Sequence, residues 1–489
     1  MIAFLAHNLA PIMFAALVVF LLLGYPVAFA LAANGIVFGL IGFELGLLQP
    51  ALFQALPERV FGIMSNDTLL AIPFFTFMGL ILERSGMAED LLDTIGQLFG
   101  PMRGGLAYAV IFVGALLAAT TGVVAASVIS MGLISLPIML RYGYDRALAS
   151  GVIAASGTLA QIIPPSLVLI VMADQLGRSV GDMYAGALVP GLVLTGLYVG
   201  YVFLRTMVNP SSAPALPLEA RSLRGWKLVG RVLFSLVPPL VLIFLVLGTI
   251  FLGIATPTEG GAMGAAGALI LALMNRRLDF ALLRQAMDQT AKLTSFVIFI
   301  LVGATVFGLV FRGVNGDIWV EELLTALPGG QIGFLIAVNI MVFLLAFFLD
   351  FFELAFIIVP LLAPVADKLG IDLIWFGVLL GVNMQTSFMH PPFGFSLFYL
   401  RSVAPATDYL DKVTGKLTAR ITTGQIYWGA IPFVCIQLIM VALIILFPDL
   451  VFVGLDRAEP VDIQNIQIEM PPMPGLEDDM PPPFGQPDQ

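Results

Sequence analysis

The sequence predicts an all-α polytopic membrane protein, and three observations support this fold class. Hydrophobic residues make up 59% of the 489 positions and charged residues only 11%, a balance far from the mixture with which a soluble domain covers its surface. Apolar runs such as 12–23, 106–119 and 232–252 approach or reach the ~20 residues that cross ~30 Å of hydrocarbon as a helix. The third observation is a repeat within the chain.

Glycine, acidic and proline positions recur at a constant offset of 227 residues. The first set is Gly143, Asp145, Pro164 and Pro165, and the second set is Gly370, Asp372, Pro391 and Pro392. Matching interruptions in two halves of a hydrophobic chain indicate a duplicated membrane unit, and they point to a midplane site of the kind that secondary transporters use.

The N-terminal segment is predicted to be the first span. The first dozen residues contain no Lys or Arg, and no small-residue cleavage site follows the apolar run, so the segment differs from a cleaved signal peptide. Further on, a segment over 72–82 leads to a polar break at 83–86 and a short helix over 87–99.

The first interruption of a long apolar run predicts a re-entrant hairpin. Thr120 and Thr121 stand beside Gly122 in mid-run, and the run resumes through Ser127. Small hydroxylated residues next to a glycine allow a helix to turn back and point its backbone groups inward. Such backbone survives at membrane depth only inside protein or against a watery cavity.

The second interruption predicts a broken helix. Ser156, Gly157 and Thr158 lead into the first proline pair, where proline removes backbone donors and leaves carbonyls such as that of Gln161 without helical partners. Unwound carbonyls with a hydroxyl or two are the ligands that coordinate Na⁺ in broken-helix transporters.

The second half repeats this plan with acids at its first interruption. Asp350 and Glu353 stand inside an otherwise apolar run, and acids at membrane depth are functional candidates because they usually face a cavity or a partner. Its broken helix is predicted over 383–394. That segment contains Asn383, Gln385, Thr386, Ser387 and His390 before the second proline pair.

Basic residues in two loops predict the orientation. They are Arg205, Arg221, Arg224, Lys227 and Arg231 in one loop, and Arg276, Arg277, Arg284 and Lys292 in the other. Both loops are expected in the cytoplasm, because 232–274 fits two crossings with a turn near 256–259. If the repeats are inverted, each has an odd number of crossings, which places the N-terminus and the C-terminal tail in the periplasm.

These features divide the chain into four parts. We expect a first repeat over 1–209, with a hairpin and a broken helix near 156–166, and a basic connector over 210–231. A second repeat follows over 232–453, with a second hairpin and a broken helix near 383–394. Residues 454–489 carry eight acids and one arginine and are rich in Pro and Met, so we expect a disordered acidic tail. The single cysteine, Cys435, excludes an internal disulfide and is expected to be a buried hydrophobe.

The chain resembles the large membrane (M) subunit of a tripartite ATP-independent periplasmic (TRAP) transporter, over nearly all of residues 1–450. The resemblance rests on five sequence segments. They are Ile72-Pro73-Phe74 through 82–86, Arg103-Gly104-Gly105, 154–159 into 163–166, 186–191, and Thr256-Pro257-Thr258-Glu259. Two departures, Thr120 to Val124 at the first hairpin and His390 before the second proline pair, resemble the branch labelled mannitol or chloroaromatic compound type.

The resemblance implies an elevator-type carrier of the bacterial inner membrane. A scaffold built from helices of both repeats would hold a transport domain of two hairpins and two broken helices, and Na⁺ symport would drive uptake with no other cofactor. A periplasmic binding protein would deliver the substrate, and a small four-helix membrane subunit would pack against the scaffold. Organic acids are the implied substrates; a monocarboxylate such as a 2-oxo or 2-hydroxy acid is favoured, and a dicarboxylate is the alternative.

We place the predicted sites at the interruptions of the helices. Sodium is expected at Thr121, Gly122, Ser127, Ser156, Gly157, Thr158, Pro164, Gln385, Thr386, His390 and Pro391. Substrate is expected at Thr120, Pro165, Ser166, Asp350, Glu353, Asn383 and Gly394. Each residue could instead have a purely structural role. Pro and Gly could serve kinks and close packing, and Ser and Thr could hydrogen-bond to carbonyls of their own helix. The acids could form ion pairs with basic residues, and His390 could be a buried, hydrogen-bonded ring.

Other function classes stay open beside this one. A stand-alone ion-coupled organic anion permease or exchanger would share the fold without needing a binding protein. A channel would require several chains or repeats around one pore. An intramembrane enzyme finds no support, because the two histidines, His7 and His390, form no His-Glu-x-x-His pair. The absence of a Gly-x-x-x-x-Gly-Lys-Ser/Thr loop excludes an ATP pump within this chain.

Overall fold

A computed structural model describes residues 2–121, 124–221, 223, 225–411 and 413–455, with backbone alone at 2, 3, 120 and 121. Gly122 and the predicted acidic tail from Asp456 onward lie outside the described residues. The helices of the first half are α1 (Ile2–His7), α2 (Leu9–Leu22), α3 (Val27–Glu44), α4 (Leu56–Met64), α5 (Asp67–Arg84), α6 (Met87–Phe99), α7 (Gly105–Thr121), α8 (Val124–Arg141), α9 (Arg146–Thr158), α10 (Leu167–Leu176) and α11 (Val180–Val208).

The second half continues with a further set of helices. They are α12 (Trp226–Phe251), α13 (Pro257–Met274), α14 (Phe280–Gly313), α15 (Gly316–Thr325), α16 (Gly330–Leu345), α17 (Phe351–Glu353), α18 (Val359–Lys368), α19 (Leu373–Met384), α20 (Phe395–Val403), α21 (Thr423–Leu446) and α22 (Asp449–Phe452). Short 3-10 turns cover Pro50–Ala55, Leu159–Gln161, Pro210–Ser212, Leu218–Ala220 and Gln385–Phe388, and a π-helical turn over Leu354–Ile358 joins α17 to α18.

The two halves match at the offset of 227 residues. Val124 begins α8, the second arm of the first hairpin, and Phe351 begins the corresponding arm formed by α17 and α18. Asp145 and Asp372 each accept backbone N–H hydrogen bonds at the starts of α9 and α19, as N-cap residues do. A 3-10 turn ends each of these two helices, and α10 and α20 follow the breaks.

Six helices of the described segments are long and apolar enough to cross a membrane, namely α3, α8, α11, α12, α14 and α21. Two bent pairs bring the number to eight: Pro50–Met64 with α5, bent by 46°, and α15 with α16, bent by 117°. The shorter apolar helices α2, α7, α10 and α19 are parts of hairpins, broken helices and the N-terminal region. The all-α polytopic fold with two hairpins and two broken helices is therefore confirmed.

The two basic loops meet at one end of the molecule. Asp90 of α6 forms ion pairs with Arg231 at 3.3 Å and with Arg277 at 2.9 Å, which joins the first turns of α12 to the segment after α13. Between them, Thr256 and Glu259 form a capping box that starts α13 at the predicted turn. We call the end of the molecule at which Asp90, Arg231 and Arg277 meet the basic end.

A small loop structure also lies at the basic end, after α20. Strands β1 (Tyr409–Leu410) and β2 (Leu417–Thr418) pair antiparallel. Between them Asp411 accepts two hydrogen bonds from the Arg141 guanidinium, at 2.9 and 3.0 Å, and one from the Thr414 hydroxyl at 2.6 Å. The Arg141 hydrogen bonds and then those of Thr414 hold the pKa of Asp411 well below its usual range. This clamp ties α8 to the segment between α20 and α21.

Glycines allow α9 and α21 to pack backbone against backbone. A Cβ at Gly151 would lie 2.1 Å from the Gly429 carbonyl oxygen, and a Cβ at Gly429 would lie 2.0 Å from the Ala147 carbonyl oxygen. Close approach of this kind is how small residues associate helices in membranes. The same helix corrects one prediction: Cys435 on α21 is exposed at the protein surface rather than buried, because lipid accepts an apolar side chain as readily as a core does.

Candidate functional site

Four helix starts converge on a chamber of 260 Å³. The first residues of α8, α10, α17 and α20 line it, and so do side chains of α14 and of both breaks. The lining residues are Val124, Ala125, Gln161, Leu167, Val168, Leu293, Phe296, Asp350, Phe351, Phe352, Phe388, Phe395 and Tyr399. The chamber thus lies between the described starts of α8 and α17, the second arms of the two hairpins, and the two helix breaks.

The helix starts give the chamber a partial positive charge without basic side chains. The first N–H groups of a helix lack intrahelical partners, and the helix dipole adds to their positive potential. Such ends bind carboxylates and phosphates readily. No Lys, Arg or His is among the chamber-lining residues in the described part of the chain. Any partial positive charge at the described wall of the chamber therefore comes from backbone groups.

Asp350 and Glu353 cap each other at the tip of the second hairpin. The Glu353 N–H donates to Asp350 Oδ1 at 3.0 Å, and the Asp350 N–H donates to Glu353 Oε2 at 2.9 Å. This reciprocal capping box starts α17 and turns Asp350 toward the chamber that it lines. Neither acid forms an ion pair with a described residue, so the alternative of pairing with basic residues is not realised here.

The tip of the first hairpin falls largely outside what the structure describes. Gly122 lies between the described segments, and only the backbone of Thr120 and Thr121 is described, at the end of α7. Ser127 is buried one turn into α8, at 1% exposure. The predicted roles of these four residues stay predictions.

The first break brings several predicted residues together. Ser156 is fully buried, and its hydroxyl oxygen has no hydrogen-bond partner. Gly157 lets α9 contact α8, since a Cβ there would lie 2.3 Å from a methyl carbon of Val128. Past the cis Pro164-Pro165 bond, the Ser166 hydroxyl donates to the Gln161 carbonyl oxygen at 2.6 Å. The Gln161 carbonyl, which is predicted to lack a helical partner, therefore accepts a hydrogen bond from the Ser166 side chain.

The two breaks touch each other through residues that the repeat relates. Gln385 Nε2 donates to Thr158 Oγ1 at 3.0 Å, and these two residues are 227 positions apart. The same hydroxyl donates to the Ala155 carbonyl at 2.8 Å and accepts a longer hydrogen bond from Gln437 Nε2 at 3.4 Å. Gln437 also donates to the Tyr198 hydroxyl at 3.0 Å. Thr158 therefore has no free lone pair with which to bind an ion in this conformation.

The second break has its own internal hydrogen bonds. The Thr386 hydroxyl donates to the Asn383 carbonyl at 2.6 Å, and Asn383 Nδ2 donates to the Asn339 side-chain oxygen at 2.9 Å. His390 is buried, with its ring centroid 4.2 Å from those of Phe343 and Phe347. The second proline pair, Pro391-Pro392, is cis like the first.

Gly394 follows this pair and starts α20. A Cβ at Gly394 would lie 2.6 Å from the Phe388 carbonyl oxygen, so glycine permits the chain to turn tightly into the helix. The Ser396 hydroxyl donates to that same carbonyl. Phe388 stands 227 residues after Gln161, and a serine hydroxyl thus occupies the matching carbonyl at each break.

Several buried, uncharged side-chain oxygen atoms lie at the two breaks and on α21 without a described hydrogen-bond partner, and of their residues Gln161 lines the chamber. They belong to Ser156, Gln161, Asn383, Gln385, Ser387 and Gln437. Buried polar atoms in native proteins nearly always have a partner, which can be an ion or water. Neutral oxygens suit a hard monovalent cation, whereas the described residues hold no group of three His, Cys, Asp or Glu that could hold a metal ion.

A larger cavity of 490 Å³ adjoins the chamber and shares Ala125, Leu293 and Phe296 with it. Its other lining residues include Glu83 and Arg84 at the end of α5 and Lys292 of α14, which lie toward the basic end. The Ser130 hydroxyl of α8 donates to Glu83 Oε1 at 2.7 Å. We call this cavity the vestibule.

The sequence-based reasoning missed several residues of this site. Leu293 and Phe296 carry no polar signal. Gln437 did carry a polar signal, because it lies inside α21, whose mean hydropathy of 2.6 is the highest of the candidate spans. Polar residues at that depth are functional candidates. The Asp-x-x-Glu spacing of 350–353 is also the pattern of a capping box.

Comparison with known proteins places this chain in a family. The family model described as "Tripartite ATP-independent periplasmic transporter, DctM component" matches residues 14–450. The C4-dicarboxylate TRAP transporter large permease protein DctM of Pseudomonas aeruginosa is 32% identical over 358 residues, which cover 73% of this chain and 82% of that protein. The 2,3-diketo-L-gulonate TRAP transporter large permease protein YiaN of Escherichia coli is 26% identical, with coverage of 88% and 96%.

A fused relative and a solved structure complete the comparison. The isethionate TRAP transporter permease protein DctMQ of Oleidesulfovibrio alaskensis is 27% identical over 84% of this chain and 63% of its own length. The crystal structure of the Alcanivorax borkumensis YdaH transporter superposes with a TM-score of 0.57 at 15% identity, covering 82% of this chain and 90% of that one, and it shows the fold. The protein is a transporter rather than an enzyme, and the chain belongs to the family of large membrane subunits of tripartite ATP-independent periplasmic transporters.

Proposed function

We propose that this chain performs Na⁺-coupled secondary active uptake of an organic acid anion across the bacterial inner membrane. A monocarboxylate such as a 2-oxo or 2-hydroxy acid is the favoured substrate, and a dicarboxylate is the alternative. A periplasmic binding protein delivers the substrate, a small four-helix subunit completes the membrane part, and transport follows an elevator mechanism. The N-terminus and the acidic tail face the periplasm.

The single observation that carries the proposal is the convergence of four helix starts on one chamber. Backbone N–H groups at the starts of α8, α10 and α20 suit a carboxylate, whereas the start of α17 is already capped by Asp350. The volume of 260 Å³ is just below the ~300–1,000 Å³ of drug-sized ligand sites. A small acid therefore fits better than a large one. The relatives support the anion class, because their names refer to C4-dicarboxylate, isethionate and 2,3-diketo-L-gulonate.

Sodium is supported by neutral side-chain oxygens without a described partner at the two helix breaks. Ser156, Gln161 and Gln385 each leave a buried side-chain oxygen without a hydrogen-bond donor. A cation bound there would satisfy these atoms and reduce the repulsion that a substrate anion meets. An empty site would keep them unpaired, which makes movement of the unloaded carrier through the barrier costly.

An uptake assay tests the proposal. The chain is reconstituted with its small subunit in proteoliposomes, the binding protein is added outside, and labelled pyruvate, lactate or succinate is supplied with and without a Na⁺ gradient. We expect Na⁺-dependent accumulation that requires the binding protein. Accumulation without the binding protein would instead favour the stand-alone permease, and accumulation without Na⁺ would contradict the coupling.

Ser156→Ala tests the placement of the ion. Loss of one oxygen ligand is expected to raise the Na⁺ concentration for half-maximal uptake by about 10-fold, the range seen when supporting groups of metal sites are removed. Ser150→Ala is the matched control, because Ser150 lies on the same helix, is fully buried and donates only to the Arg146 carbonyl at 2.7 Å. Equal Na⁺ activation in both variants would refute the placement.

A further inference from the structure

Asp350 lines the chamber that is proposed to hold an organic anion, and Glu353 is hydrogen-bonded to the same helix start. Glu353 lies one helical turn further on in the same segment. Their reciprocal hydrogen bonds to backbone N–H groups, at 2.9 and 3.0 Å, fix both carboxylates at the tip of the second hairpin. A substrate carboxylate in the chamber would be a third negative group, next to Asp350 in the chamber wall and Glu353 bonded to it.

No basic side chain of the described chain compensates these charges. The neighbouring α10 contributes Leu167 and Val168 to the chamber and α14 contributes Leu293 and Phe296. Among the described residues that line the chamber, Tyr399 of α20 is the one titratable side chain from another element.

The remaining titratable groups nearby face other surroundings. His390 lies against the rings of Phe343 and Phe347 in α16 and its continuation. Glu83, Arg84 and Lys292 line the vestibule instead of the chamber. The acid pair and an incoming anion would therefore meet with no fixed cation between them.

We propose that Asp350 and Glu353 form a proton-carrying pair, so that each organic anion enters with one H⁺ in addition to Na⁺; this inference rests on the proposed function. Like charges in one site favour protonation of one of them, and acids at membrane depth serve as proton carriers in transporters. A proton from periplasmic water forms an O–H bond on one carboxylate as the anion enters. The same bond breaks when the anion leaves, and the proton passes to cytoplasmic water.

The experiment measures accumulation against an imposed pH difference. Proteoliposomes with the complete transporter are held at saturating, equal Na⁺ on both sides and at a clamped membrane potential, and the outside is made more acidic than the inside. One proton per cycle raises the equilibrium accumulation ratio by up to ~10-fold for each pH unit. Wild-type accumulation that ignores the pH difference would overturn the proposal.

Asp350→Asn and Glu353→Gln, alone and combined, locate the proton. Asn and Gln keep the N-cap and the capping-box hydrogen bonds while they remove the charge, so the hairpin start is preserved. We expect the double variant's accumulation, normalised to its own Na⁺-driven uptake, to lose its response to the pH difference. Asp279→Asn is the control, because Asp279 caps α14 outside the chamber, and it should respond like wild type.

A second measurement keeps the proposal testable if the variants fail to fold. Addition of the transported acid to the purified wild-type complex in weakly buffered solution should take up about one proton per substrate bound, read with a pH dye. The absence of proton uptake on substrate binding would overturn the proposal. In the accumulation assay, a double variant that keeps its response to the pH difference, or that loses only its activation by Na⁺, would overturn it as well. Failure of Na⁺ to drive any uptake in wild type would instead reject the proposed function.

Discussion

Thr158→Val is the sharpest test of how the two helix breaks are joined. The substitution keeps the shape of the side chain but removes the hydroxyl that accepts hydrogen bonds from Gln385 and Gln437. Gln437 keeps its hydrogen bond to Tyr198, whereas Gln385 Nε2 loses the only partner described for it. We therefore expect lower stability of the folded transporter with or without Na⁺.

The magnitude follows from the one amide that is left unpaired. A buried polar group without its partner costs ~1–3 kcal/mol, although hydrogen bonds between membrane helices average only ~0.6 kcal/mol. We expect a loss of about 1–3 kcal/mol, because Thr158 and Gln385 are both fully buried and no lipid or water competes for them. At ~2–4 °C per kcal/mol in proteins of ~150–250 residues, the melting temperature should fall by several degrees.

The assay is thermal unfolding of the purified protein in detergent, followed by intrinsic fluorescence at several Na⁺ concentrations. Thr206→Val is the control, because the Thr206 hydroxyl is also buried and donates three residues back along its helix, to the Phe203 carbonyl, with no partner on another helix. Equal melting temperatures for the two variants would refute the reasoning. A Thr158 variant that is stable but needs more Na⁺ would instead assign Thr158 to the ion site.

Three further predictions concern packing, charge and motion. Gly429→Ala should reduce folded protein sharply, since the added methyl would overlap a backbone carbonyl of α9 and overpacking costs ~1–3 kcal/mol or more, measured as the monodisperse yield. Asp411→Asn should lower the melting temperature at neutral pH, because Arg141 lowers the pKa of Asp411 in the folded state. The difference in melting temperature between this variant and wild type should shrink as the pH falls below ~3.9, the pKa of Asp411 in the unfolded chain. Ser130→Ala removes the hydrogen bond from Ser130 to Glu83. If this bond stabilises the present conformation by ~0.6 kcal/mol, its loss should make the protein leave that conformation, and therefore exchange substrate, about threefold faster.

Each of these has a control and an outcome that would contradict it. Gly196→Ala in α11 meets nothing within 4 Å, so equal yields for both alanine variants would count against the close crossing. A pH-independent difference for Asp411→Asn would show that lost packing, not charge, is responsible. An exchange rate in Ser130→Ala that matches wild type would mean that the bond to Glu83 survives the transport step or contributes nothing to it.

The interruptions of the chain were predictable because proline and glycine act locally. The proline pairs, the turn at Thr256 and the helix over 87–99 all stand where the sequence places them. Periodicity and composition also sufficed for the all-α membrane class, because each span must satisfy its own backbone.

The features that could not be predicted from the sequence concern the surface that each side chain faces. The sequence gives no sign that Leu293 and Phe296 line the chamber, or that Cys435 faces outward, because apolar residues suit lipid, core and cavity alike. The sodium role of Thr158, predicted from its place beside a break, stays a prediction. Only the contacts with Gln385 and Gln437 reveal that its hydroxyl is already occupied.

The contact between Thr158 and Gln385 has a consequence for the history of this architecture. A residue that touches its own repeat equivalent lies on the approximate two-fold axis that relates the halves. In a pair of separate half-length chains, the same position would face an identical copy across an isologous interface, and the side chain would have to match itself. Joining the halves in one polypeptide removes that restriction, so one copy can donate as an amide while the other accepts as a hydroxyl.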